Sequence, residues 1–208
     1  VKVHGKSIAE YGDISMFSFH ATKVFNSIEG GMLTYRDSSL KSQLEKKKNS
    51  GLSNSKNPEI IGKNAKMNEF QAIMGFLNLN YYHKEIKKRK KIAKIYRQFL
   101  KQINGVEFFN DICGVKHNYS YFPILITDKF PVSRNEVYKF LKQNNIFSQK
   151  LYPLCSNYKT YKNIKLKKGS LENAEYVANR VLALPIYGEL NKTQIDYICN
   201  CIKELESN

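Results

Sequence analysis

Long apolar runs, paired cysteines, arginines and acidic residues are what this 208-residue sequence has least of, and each shortage excludes a class of protein. No stretch approaches the roughly 20 consecutive apolar residues that a membrane-spanning helix needs, and the first 30 residues lack the basic, apolar and small-residue order of a secretory signal. A cytoplasmic protein with no membrane partner is expected. Cys113, Cys155, Cys199 and Cys201 show neither CxxC spacing nor the density of a disulfide scaffold, so reduced structural thiols are expected. His4, His20, His83 and His117 are scattered, without carboxylate or cysteine at metal-ligand spacing, and no metal site is expected.

What is there begins with apolar content. Hydrophobic residues make up 42% and charged residues 25%, a globular balance that argues against wholesale disorder. The net charge of +16 points at first to a nucleic acid or an anionic surface. Lysine, however, outnumbers arginine 29 to 5, whereas phosphate-clamping surfaces favour the arginine fork. Residues 84–101 alone carry a net +8. The apolar residues there, Ile92, Ile95, Tyr96, Phe99, Leu100 and Ile103, recur at helical spacing, which puts the lysines on the opposite, wet face. A solvated helix face is the preferred reading, and no nucleic-acid partner is expected.

The order of elements is that of an α/β protein. Residues 14–20 alternate and read as a strand, and Gly30-Gly31 turns into a second strand over 32–35. Residues 36–61 read as a helix start followed by a mobile loop. Helical periodicity runs from 68 to about 103, as one long helix with a bend or break. Beyond Gly105, strands are predicted over 119–126, 146–151 and 181–184. Helices are predicted from the caps Ser133, Ser170 and Asn191 to residues 143, 180 and 205. The implied organisation is 1–83, a connecting helix over 84–104, and a small α/β domain over 105–208.

Reactive chemistry concentrates in GDISMFSFHATKVFNSIEGGML, residues 12–33. Lys23 sits just past the end of a strand, where α/β proteins place reacting groups, and its neighbours Thr22, Val24 and Phe25 are not carboxylates. A lysine partly withdrawn from water in such a place serves as a nucleophile toward a carbonyl. Ser18, five residues back, offers a hydroxyl to a phosphate oxygen. Spacing alone leaves the plainer reading open: one lysine among 29 on the surface, and a strand serine bonded locally.

The run SFHATKVFNSIEGG resembles the lysine signature of the DegT/DnrJ/EryC1/StrS sugar aminotransferases, pyridoxal-phosphate enzymes of the aspartate-aminotransferase fold. Three further stretches agree in order. GKNAKMNEFQAIMG, residues 62–75, resembles the family's G-x-N-x-R-M-x-x-x-Q-A motif. KLYPLCSNY, residues 150–158, resembles its Y-x-P-L segment, and VLALPIYGEL, residues 181–190, its late L-P-L-Y strand and turn.

The resemblance implies the C-terminal part of a fold-type I transferase: the end of a large cofactor-binding domain, a long connecting helix and a small α/β domain. It implies that Lys23 is the catalytic lysine that holds pyridoxal 5'-phosphate and shuttles the proton. It further implies that Ser18 contacts the cofactor phosphate, and that Asn64 reaches that phosphate in the neighbouring subunit of a homodimer. His20 and Tyr152 are placed at the sugar pocket, with a core role open for both. The related dehydratases carry histidine where this chain has Lys23, so transamination is favoured. The donor implied is glutamate and the acceptor a nucleotide-linked keto-deoxysugar, dTDP-4-keto-6-deoxyglucose before UDP-linked or 3-keto sugars, in surface-polysaccharide synthesis.

Two departures stand against the pattern. Family members are close to twice this length, and the segments that supply the aspartate for the pyridine nitrogen and the aromatic that stacks on the ring are absent. Inactivity of this chain by itself is therefore expected. Lys66 stands where the family often has arginine, which removes a bidentate phosphate contact. From other classes, a non-catalytic dimerisation or interaction module and a basic nucleic-acid binder are the alternatives.

Overall fold

The computed structural model describes residues 1–54, 57–161 and 171–207. In chain order the strands and helices are β1 (Lys2–Val3), β2 (Lys6–Ser7), β3 (Ile14–Ser18), β4 (Gly31–Tyr35), α1 (Leu40–Lys48), α2 (Glu69–Leu100), β5 (Val106–Phe108), β6 (Val115–Lys116), β7 (Phe122–Ile126), α3 (Arg134–Gln143), α4 (Glu172–Arg180), β8 (Val181–Leu184) and α5 (Lys192–Ser207). They fall into two units, one of Val1–Lys84 with Ile112–Asn118, the other of Glu85–Asp111 with Tyr119–Asn208.

In the first unit, β1 and β2 form a hairpin whose turn residues His4 and Gly5 both have positive φ, 48° and 81°, the sign a two-residue hairpin turn requires. The segment 112–118 joins this unit because β6 pairs antiparallel with β1, Lys2 opposite Lys116. The sequence reading, which assigned all of 105–208 to a separate domain, missed this return, since two-residue strands carry no periodicity. A second antiparallel pair joins β3 to β4, with Ile14 opposite Tyr35 and Ser18 opposite Gly31.

The second unit closes a core. Its sheet has the order β5-β7-β8, all antiparallel, with Val106 opposite Ile126 and Phe122 opposite Leu184. Buried side chains from α2 (Ile92, Ala93, Tyr96, Leu100), α3 (Val137, Leu141) and α5 (Ile195, Ile198, Ile202) join the sheet in one cluster. Tyr96 stacks on Phe122 at 4.9 Å, and its hydroxyl donates to the Pro185 carbonyl at 2.9 Å, so a buried polar tip is satisfied. Ser133 caps α3 in a reciprocal box with Glu136, and Asn191 and Gln194 exchange backbone bonds at the start of α5. Gly105, at φ +78°, lets the chain leave α2 against the Phe130 backbone, where any Cβ collides.

Three expectations change. Helix α2 runs unbroken for 32 residues; the shift in apolar spacing near residue 82 marks a change in what covers the helix, not a break in its backbone. The strand expected over 146–151 reduces to one bridge, Gln149 with Ala183. Burial still alternates there, with Ile146 and Ser148 in and Phe147 out, but no ladder forms. The strand expected from 119 begins at Phe122, after Tyr119 turns at φ 51°. The expected cap Ser170 lies outside the described residues.

Candidate functional site

The segment with the most chemistry is the connection between β3 and β4, within the first unit. The ladder continues one step past Ser18, with Phe19 N–H donating to Gly30 O at 2.9 Å, and the chain then folds over itself. Lys23 N–H donates to His20 O at 2.9 Å, closing a turn over 20–23 that sets the Lys23 side chain half-buried at its end. Ser18 and His20 are exposed on the same stretch.

His20 is held on both nitrogens. Its Nδ1 lies 2.9 Å from Thr22 Oγ1 and accepts from Thr22 N–H at 3.2 Å, while Nε2 lies 3.4 Å from a Glu29 carboxylate oxygen. The His20 N–H reaches Ser18 Oγ at 3.4 Å. Hydroxyl, imidazole and amine thus share one six-residue run, and the Ser18 hydroxyl is tied to the His20 backbone.

Below this run the turn is anchored. Asn26 Nδ2 donates to Lys23 O at 3.2 Å, and Asn78 Nδ2 of α2 donates to Asn26 O at 2.9 Å. Ser27 is completely buried; its N–H donates to Phe19 O and its hydroxyl to Glu29 O at 2.7 Å. Gly75, one turn before Asn78, offers no side chain where Ser27 packs: a Cβ there meets Ser27 Cβ at 3.4 Å. Phe25 stands edge-on to Phe19 at 4.8 Å and to Tyr82 at 6.1 Å, and burial pushes the Tyr82 phenol above its usual range. Ile28 takes φ 69°, a left-handed conformation that β-branched residues rarely adopt.

The other residues picked from the sequence lie elsewhere. Asn64 is exposed and bridges antiparallel to Asn49, whose side-chain oxygen accepts from Lys66 Nζ at 2.7 Å. Tyr152 belongs to the second unit; it is 65% exposed, with its hydroxyl 3.4 Å from that of Tyr121. Sequence reasoning passed over Asn26, Ser27, Glu29, Gly75 and Asn78. No periodic signal marks Asn78, because its helix face already carries the polar Gln71 four residues before Gly75.

The chemical fit to a phosphorylated aldehyde is partial. An amine half out of water and a hydroxyl five residues before it are the groups that would hold the aldehyde and the phosphate. No residue of this chain is assigned to the ring nitrogen.

The sequence profile of the DegT/DnrJ/EryC1/StrS aminotransferase family matches residues 1–203. The chain is 36% identical over 201 residues to a dTDP-4-amino-4,6-dideoxy-D-glucose transaminase of Shigella dysenteriae, a match covering 96% of this chain and 54% of the relative. A transaminase of the same name from Escherichia coli is 40% identical over 168 residues, covering 80% and 45%. The solved structure of DesI in the presence of its TDP-sugar product aligns with a TM-score of 0.91 at 26% identity, over 99% of this chain and 53% of that one. The chain spans about half the length of the curated relatives it matches.

Proposed function

The chain belongs to the DegT/DnrJ/EryC1/StrS aminotransferase family, whose members are pyridoxal-phosphate-dependent, and we propose from that membership that its whole protein transfers an amino group from glutamate to a nucleotide-linked keto-deoxysugar. The acceptor is dTDP-4-keto-6-deoxyglucose, a choice supported by the activity for which the two transaminases above are named. The product serves surface-polysaccharide synthesis, in the cytoplasm.

The observation that carries this reading is the half-buried Lys23, set at the end of β3 by a turn bonded on both sides. Pyridoxal phosphate, when bound, supplies the electron sink that makes the proton on the amino-bearing carbon labile. Lys23 Nζ would hold the cofactor's aldehyde and would take up and return that proton as a general base and then acid. Ser18 Oγ binds the phosphate. Asn64 binds it from a second copy, so the active assembly is a homodimer. His20, its ring fixed by Thr22 and Glu29, and Tyr152 line the sugar pocket. Because the ring nitrogen's partner is not among these residues, the 208-residue chain by itself does not turn over.

The test uses the full-length protein. Lys23→Ala removes amino transfer from glutamate to the dTDP-keto-sugar and removes the borohydride-fixable absorbance band, while wild type retains both. Transfer persisting in Lys23→Ala overturns the reading.

A further inference from the structure

Residues 137–171 contain eight lysines and no acidic residue, a charge run that transamination leaves unused. Inside the second unit, part of this run borders a cleft of about 300 Å³ between the start of α3, the stretch 150–157 and α4. That volume is at the small-molecule end of ligand cavities. Arg134 and Lys150 supply its cationic wall; Leu151, Leu154 and Ala178 supply an apolar one; Asn157 adds an amide.

The two cations are fixed in place by contacts that leave their charge uncompensated. Arg134 donates through Nη1 to Val181 O at 2.6 Å and through Nε to Asn135 Oδ1 at 3.2 Å, which holds the guanidinium plane. Lys150 Nζ sits over the Tyr138 ring, 4.6 Å from its centroid. Neither has an ion-pair partner among the described residues. Burial, then the charges of Arg134 and Lys139, hold the Lys150 ammonium below its ordinary value. Glu175 also faces the cleft from α4, without pairing with either cation. Like charges gathered beside an apolar wall repel one another, and an oxyanion relieves that repulsion with charge-assisted hydrogen bonds.

We propose that this cleft binds a small molecule bearing an oxyanion, phosphate or carboxylate, held between Arg134 and Lys150 with its carbon body against Leu151, Leu154 and Ala178. The site lies wholly within the second unit, and its occupancy does not depend on the transamination reading.

The 208-residue chain is titrated at constant ionic strength with inorganic phosphate and, separately, with succinate, following backbone amide shifts by NMR. Saturable shifts at Asn157 and Ala178 are expected. Phosphate alone producing them identifies a phosphorylated ligand, succinate alone a carboxylate. Lys150→Gln, an exposed position whose replacement leaves the core intact, weakens binding roughly tenfold or more, the loss of one charge-assisted contact. Lys142→Gln, on α3 but outside the cleft, changes it less than about twofold, as expected of a screened surface charge. Absence of saturation with both anions overturns the proposal, and so does equal weakening by the two substitutions, which marks a diffuse cation cloud.

Discussion

One helix passes through two environments, and the contrast divides the molecule. In the first unit α2 presents Phe70, Ile73, Phe76 and Leu77 to solvent, Phe70 being 82% exposed; in the second it buries Ile92, Ala93, Tyr96 and Leu100. The same holds unit by unit. Every buried hydrophobic side chain among the described residues, from Ile92 to Ile202, belongs to the second unit. In the first, Ile61 and Met16 stand in water, and the fully buried side chain is the polar Ser27. The first unit is organised by hydrogen bonds, those of the β3–β4 ladder and those that tie Asn26, Ser27 and Asn78 together. Such bonds add only about 1 kcal/mol each once exchange with water is counted, so they define a shape more than they stabilise it. The second unit has the burial that stabilises folds. The turn that carries Lys23 therefore sits in the unit whose apolar side chains are exposed.

Thiol labelling breaks or sharpens this contrast most directly. Cys113 and Cys155 are exposed, whereas Cys199 and Cys201 are buried on α5 in the second core. Burial, then the Asp196 charge, pushes the Cys199 thiol up to about 12, so little thiolate exists at neutral pH. Two fast and two slow reactions with a thiol reagent are expected, the slow pair protected by a factor of about a thousand or more, as core residues that react only on unfolding. Four equal rates destroy the contrast. Next in size is a pair of substitutions. Leu141→Ala, at a fully buried position on α3, costs about 2–5 kcal/mol in urea unfolding, from lost transfer energy and a cavity. Phe70→Ala changes the same measurement by less than about 0.5 kcal/mol, being an exposed change that leaves no cavity. Similar costs for the two refute the division.

How much of this was legible follows the range of the forces. Caps are local, and Ser133 and Asn191 were readable because the box partners Glu136 and Gln194 lie three residues on. The strand Val181–Leu184 was readable as a short apolar run before a Pro-containing turn. Pairing over long separations was not, so the return of 115–116 to Lys2–Val3 and the reduction of 146–151 to a bridge went unread. At the candidate site, the motif containing Ser18, His20 and Lys23 stood out by resemblance. The anchors Asn26 and Asn78 did not, because a side-chain amide on a carbonyl 52 residues away leaves no periodic trace. Nor did the left-handed backbone at Ile28, since isoleucine advertises a strand.

Ile28 supplies the next smaller test, inside the first unit. Glycine accepts φ 69° without the Cβ penalty of about 1–2 kcal/mol, at an entropic cost of about 0.5–1 kcal/mol. The side chain is half exposed, so little burial is lost. Ile28→Gly is expected to stabilise the turn by about 0.5–1 kcal/mol, read as slower hydrogen exchange at the Phe19 and Ser27 amides, which close it. Faster exchange at both refutes the idea that strain is stored there.

The smallest effect is electrostatic and belongs to the second unit. Asp111 pays some desolvation, but bonds from the Tyr119 hydroxyl at 2.7 Å and the Arg97 guanidinium at 2.9 Å outweigh it and hold its carboxyl below the usual range. A carboxyl depressed in the folded state stabilises above its unfolded value, near 4, and that contribution fades as pH falls through the lower folded value. Asp111 is more than a third exposed, so solvent screening limits it to a few tenths of a kcal/mol. Asp111→Asn is thus expected to lower the urea midpoint slightly at pH 7, with the gap to wild type closing as the pH drops below about 4. A gap that widens in acid reverses the sign and removes Asp111 from the bonds that hold the loop between β5 and β6 to α2.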